Sequence, residues 1–189
     1  DVLSVRQCLY AMLLQSSNQS ANALAEYVAG SRQAFVDMMN QRIEELGCNE
    51  SHFANPSGLN DDTQRTTAYD MAIIARACFQ NPTVLEIASA RTSSIPATAY
   101  IPIGRTFSIE HKMLLSDDSN YYPDAIAGKT GWTSQAGQTL VTYARREGRG
   151  QIAVTLMSTQ KTHYSDTKTI LDFGFARFQN VNIADNETE

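Results

Sequence analysis

Between Val5 and Ala88 apolar residues recur at helical spacing; strand-like patterning becomes clear only from Ala125. Ser4, followed three residues later by Gln7, reads as a capping box, and Val5, Cys8, Leu9, Met12 and Leu13 continue one helical face to about Gln15. Ser16, Ser17 and Asn18 compete for backbone hydrogen bonds and predict a turn. A second helix fits Ser20 to Ala29, with Ala21, Leu24, Ala25 and Val28 inward and Gly30 available for a left-handed end. Ser31 can cap a third, whose Phe35, Met38, Met39, Ile43 and Leu46 form an apolar stripe that stops at Gly47. Residues Asn55 to Asp62 read as irregular turns. Thr67 with Asp70 starts a fourth helix through Met71, Ile74, Ala75 and Cys78, closing before Pro82, and a short helix follows around Thr83 to Ala88.

From Arg91 to Phe107 the chain is rich in Thr, Ser, Ile and Pro, which suggests short strands or a meandering loop. Three strands are predicted next, Ala125 to Thr133, Gln138 to Arg145 and Gln151 to Ser158, with Glu147-Gly148-Arg149-Gly150 as a tight hairpin turn. A final helix from about Tyr164 to Phe178 should bring Ile170, Leu171, Phe173, Gly174 and Phe175 against one sheet face. The expected domain spans residues 1–178, and residues 179–189 read as a tail or the start of a linker. Helices first and strands later imply an α+β fold, an antiparallel meander flanked by helices. Three strands are thin for so many helices, so further strands are expected to be missing.

Composition narrows the classes. At 189 residues with 42% hydrophobic content, one domain or part of one is the default. The net charge of -5 is spread without a run of five like charges, which argues against nucleic acid as a partner. No stretch approaches the roughly 20 apolar residues of a membrane span. The start, Asp1-Val2-Leu3-Ser4, lacks the features of an export signal, so any such signal is expected to have been removed or to lie outside this chain. Cys8, Cys48 and Cys78 have no Cys-x-x-Cys spacing, and His52, His111 and His163 are scattered, so neither metal nor cofactor is expected.

The candidate chemistry lies in two short phrases. Lys129-Thr130-Gly131 places a cation and a hydroxyl beside a residue without side-chain bulk; in a strand Lys129 and Gly131 share one face and Thr130 takes the other. A peptide-like ligand could lie along that strand, with Lys129 on its terminal carboxylate, Thr130 or Thr133 orienting it, and backbone N–H groups near Trp132 receiving oxyanion charge. The second phrase is Ser16-x-Asn18, where Ser16 can pass a proton and the Asn18 amide can both donate to and accept from a substrate backbone.

Together with Asn55-Pro56-Ser57-Gly58-Leu59, Thr66-Thr67-Ala68-Tyr69-Asp70 and Leu171-Asp172-Phe173-Gly174-Phe175, these phrases make the chain resemble the serine-type D-alanyl-D-alanine carboxypeptidases, the low-molecular-weight penicillin-binding proteins. The resemblance implies a β-lactamase/transpeptidase-like fold and an acyl-enzyme mechanism. It further implies removal of the terminal D-alanine from peptidoglycan stem peptides in the cell envelope, outside the cytoplasm. β-Lactam antibiotics would be second ligands, and the full-length parent could associate peripherally with a membrane. Ser16 and Asn18 carry over as catalytic residues, and Lys129, Thr130 and Gly131, with Trp132 and Thr133, as the substrate-binding strand.

The family's Ser-x-x-Lys, which carries the nucleophile upstream of Ser-x-Asn, is not found there. Ser158 with Lys161 and Ser165 with Lys168 match the spacing but follow Lys129, and Ser165 reads better as a cap of the last helix. The chain is therefore expected to be an N-terminally truncated part of the enzyme, inactive alone, with the Gln151 to Ser158 edge exposed. The alternatives are a non-catalytic peptidoglycan-binding or interaction module, or a relative of class A β-lactamases. The latter is disfavoured because no Glu-x-x-Leu-Asn loop lies between Asn18 and Lys129.

Overall fold

The computed structural model describes residues 2–181. Helix α1 (Val5–Gln15) opens on the expected capping box, with Ser4 Oγ accepting from Gln7 N at 3.2 Å and Gln7 Oε1 accepting from Ser4 N at 2.8 Å. Its buried residues are Ala11 and Leu14, while Val5 lies on the exposed side. The chain then leaves the helix in a left-handed conformation at Ser16 (φ 52°, ψ 38°). Ser17 immediately caps α2 (Asn18–Ala29) by accepting from Ser20 N at 3.2 Å. The second helix thus begins two residues earlier than expected, because one serine side chain satisfies the free N–H and Asn18 needs no turn.

Gly30 ends α2 at φ 78°, and Ser31 caps α3 (Arg32–Glu45). Only Val36 and Ile43 are buried on α3, and Met38 is 49% exposed, so the broad stripe expected there is a narrow one. The cause is geometric: α3 packs chiefly on α2, and a single helix covers one row at seven-residue spacing.

A loop from Cys48 to Thr66 leads to α4 (Ala68–Gln80), whose cap is Thr67. Asp70 does not complete a capping box. It is buried, and its Oδ2 accepts from Glu50 N at 3.1 Å and Ser51 Oγ at 2.8 Å, tying the loop's start to the helix. His52 and Arg65 then exchange two backbone hydrogen bonds, and Asn55 Oδ1 gathers the N–H groups of Ser57, Gly58 and Leu59. Helix α5 (Pro82–Ser89) is capped by Asn81.

Residues 92–108 hold two short strands, β1 (Thr92–Ile95) and β2 (Arg105–Ser108), paired as an antiparallel ribbon. The main sheet is β3 (Ala125–Thr133), β4 (Gly137–Arg146) and β5 (Arg149–Ser158), antiparallel and in chain order. Glu147 and Gly148 (φ 51° and 79°) make a two-residue turn between β4 and β5, tighter than the four-residue segment expected.

Helix α6 (His163–Arg177) covers one face of the sheet, where Thr167 meets Thr155 at 2.9 Å. Helix α4 covers the other, where Phe79 stacks on Tyr143 with ring centroids 5.6 Å apart. On α6, Leu171, Gly174 and Phe175 are buried, but Ile170 and Phe173 are 44% and 58% exposed. Five apolar positions in six residues cannot all share a stripe of about 100°. Ser165 is not the cap of α6; it lies inside the helix and donates to Thr162 O at 2.8 Å. The architecture is α+β, as expected. No further strand flanks β5 among the described residues, so it forms an edge of the sheet, with Met157 80% exposed. Of the expected tail, residues 182–189 lie outside the described residues.

Candidate active site

The end of β3 and the junction of α1 with α2 face each other. Lys129 Nζ donates to Ser16 Oγ, a contact between residues 113 apart in sequence, and also to its neighbour's carbonyl, Thr130 O, at 2.8 Å. A cleft of about 460 Å³ separates the walls. Ser16 and Asn18 line one side and Lys129 to Thr133 the other, with Pro56, Ser57 and Gly58 of the loop along the rim. All seven residues singled out in the sequence therefore border one space.

The strand presents its side chains as the pleat requires. Lys129 and Gly131 pair across from Val141 and Thr139, on the opposite face from Gly128 and Thr130. A Cβ on Gly131 would come within 2.5 Å of Thr139 Oγ1, so the bare position is used by the neighbouring strand as well as being open to a ligand. Thr133 Oγ1 accepts from Ala136 N at 2.9 Å, leaving its proton free to donate elsewhere. Trp132 is exposed at the mouth, and among the described residues β3 has no strand on its outer side, so its free backbone edge borders the cleft. Burial lowers the pKa of Lys129, and the nearby Glu110 carboxylate opposes that shift.

Two neighbours were not legible in the sequence. Glu110 Oε2 accepts from Ser16 Oγ at 3.4 Å and from Thr130 Oγ1 at 3.5 Å. His111 is buried behind β3, where Nε2 meets Thr142 Oγ1 at 2.9 Å, and Nδ1 has no hydrogen-bond partner among the described residues. Burial pushes its pKa down to about 4, so the ring is neutral at physiological pH. Gly128 exists for this ring: a Cβ there would lie 2.6 Å from His111 Nε2 and overlap the Val141 carbonyl oxygen.

Neither late serine reaches the cleft. Ser158 Oγ is engaged by Thr162 and Asp166, Ser165 by the backbone of α6, and Lys168 points to Ser119 O. Among the described residues no group of three or more His, Cys, Asp or Glu side chains could hold a metal ion. No helix of the described residues is long and apolar enough to cross a membrane. What the cleft offers is a lysine ammonium bonded to a serine hydroxyl, an amide, two threonine hydroxyls and a strand edge.

The family model described as D-alanyl-D-alanine carboxypeptidase matches residues 1–160. The chain belongs to that family. It is 32% identical over 179 residues to the D-alanyl-D-alanine carboxypeptidase DacB2 of Mycobacterium tuberculosis, covering 92% of this chain and 58% of that protein. To DacA of Escherichia coli it is 33% identical over 180 residues, covering 94% of this chain and 42% of that protein. A solved penicillin-binding protein homologue from Mycobacterium tuberculosis superposes with a TM-score of 0.85 at 30% identity, over 96% of this chain and 68% of that one. The fold is that of the penicillin-binding peptidases. The chain spans about half the length of these curated relatives.

Proposed function

We propose that this chain carries the proton-relay and substrate-tail portion of a serine-type D-alanyl-D-alanine carboxypeptidase that trims peptidoglycan stem peptides outside the cytoplasm. The observation that carries the reading is the Lys129–Ser16 contact, which joins the two motifs across one cleft. In the reaction a serine oxygen attacks the carbonyl carbon of the penultimate D-alanine. The bond to the terminal D-alanine nitrogen breaks, and water later hydrolyses the ester.

Ser16, polarised by the Lys129 ammonium, passes a proton toward the leaving amine. Asn18 holds the substrate backbone, Thr130 and Thr133 orient its tail, and the Gly131–Trp132 edge pairs with the peptide and supports the oxyanion. The acylated serine belongs to a Ser-x-x-Lys element other than Ser158–Lys161 or Ser165–Lys168, since neither serine lines the cleft. β-Lactams would acylate that same serine. The chain by itself is then a binder without turnover.

Titration with diacetyl-L-Lys-D-Ala-D-Ala, followed by NMR, tests this. Shifts are expected at Ser16 to Asn18 and Lys129 to Thr133, with none for the L-Ala-L-Ala isomer. Lys129→Met should weaken peptide binding by at least about tenfold, the loss of one charge-assisted contact. Release of D-alanine, a covalent penicillin adduct, or shifts confined to other surfaces would each overturn the reading.

A further inference from the structure

A carboxylate already stands where the ligand's tail is expected. Ser16 Oγ and Thr130 Oγ1 converge on a single oxygen, Glu110 Oε2, and the same carboxylate acts on the Lys129 charge. We propose that Glu110 is an internal stand-in for an anionic ligand terminus, one that must swing aside when a free carboxylate enters and that sets preference between charged and neutral peptide tails. This rests on the assignment of the cleft to peptide binding.

The backbone around Glu110 is pinned while its side chain is not. On one side His111 is locked under β3, and on the other Tyr164 Oη donates to Glu110 O at 3.5 Å and accepts from Lys112 N at 3.3 Å. The Glu110 side chain is exposed, so it can leave by rotamer change alone. Its hydroxyl contacts at 3.4 and 3.5 Å are long for bonds to a carboxylate, so little holds it in place. A ligand carboxylate at that point receives the same two hydroxyls but meets a like charge a few ångström away, a repulsion that grows in a part-desolvated cleft. The adjoining cleft of about 570 Å³, lined by Glu110 together with Lys112 and Lys161, gives the displaced side chain cationic surroundings.

The test compares diacetyl-L-Lys-D-Ala-D-Ala with its C-terminal amide, on the 189-residue chain and on Glu110→Gln. Removing the charge is expected to tighten the carboxylate peptide about fivefold and to change the amide less than about twofold. Equal changes for both peptides, or weaker binding of the carboxylate, would overturn the proposal, as a purely structural role predicts no discrimination. Acetate alone, followed through the Ser16 and Thr130 amide resonances, separates this from the peptide-binding reading. If neither peptide binds either protein, that reading fails, and acetate still decides Glu110. Perturbation at lower acetate concentration in Glu110→Gln supports the stand-in; coincident titrations refute it. Glu110→Ala should behave as Glu110→Gln does.

Discussion

The two walls of the cleft are held by different physics. The β3 wall is fixed from behind by packing, with Gly128 against the His111 ring and Gly131 against Thr139, whereas the α1–α2 wall is fixed by two serines acting as helix ends. Packed positions fail through overlap of hard atoms, and capped positions fail through the loss of one hydrogen bond. The strand wall should therefore be much less tolerant of change than the turn that faces it.

The sharpest break of that contrast is Gly128→Ala. The added methyl group meets a carbonyl oxygen of the adjoining strand as well as the imidazole, so destabilisation of about 3 kcal/mol or more is expected from urea unfolding. A loss below about 1 kcal/mol would show that the strand yields easily.

Next in size is the response to acid. The pKa of His111 is depressed from 6.5 to about 4 by burial, so its contribution is fully present above pH 6.5 and is lost as pH falls toward 4. The decline should amount to roughly 2 to 3 kcal/mol, and His111→Asn should flatten that part of the stability–pH curve. An unchanged slope in the variant would assign the decline to other groups.

On the turn wall, Ser17→Ala removes the α2 cap and should cost about 1 kcal/mol, read as a lower thermal midpoint. The smallest effect has the opposite sign. Ser16 sits at φ 52°, so Ser16→Gly should stabilise by up to about 1 kcal/mol while weakening the peptide response at Lys129. Destabilisation by glycine would mean that the hydroxyl contacts outweigh the backbone strain.

The same contrast explains what could be read in the sequence. Strand β3 was legible to its end residues, and its neighbours to within two, because alternation and the Glu147–Gly148 turn are local signals. The caps Ser4 and Ser31 were legible for the same reason, whereas Ser17, read as part of a turn, caps α2 at Asn18. Contacts made only by the completed fold were hidden. Glu110 meets Ser16 across 94 residues and His111 meets Thr142 across 31, and a single Glu-His pair in a polar stretch carries no periodicity. The one available hint was Gly128, a glycine inside a strand, which marks a close approach without naming its partner. On α6 the inward residues were misjudged because a dense apolar run fits several helical faces, and only the sheet selects Leu171, Gly174 and Phe175.

Asp70 gives the loop from Cys48 to Thr66 a property of its own. Its anchorage to Glu50 and Ser51, the Ser51–Thr66 hydrogen bond and the His52–Arg65 pairing close the loop at its neck. Asn40 of α3 fastens Phe53 by donating to its O at 2.8 Å and accepting from its N at 2.9 Å, so the tip from Asn55 to Leu59 hangs on a frame held from α3 and α4. A hairpin of similar span could accordingly replace the tip alone, reshaping the rim of the cleft, provided that Asn40 on α3 and Asp70 on α4 keep these anchors.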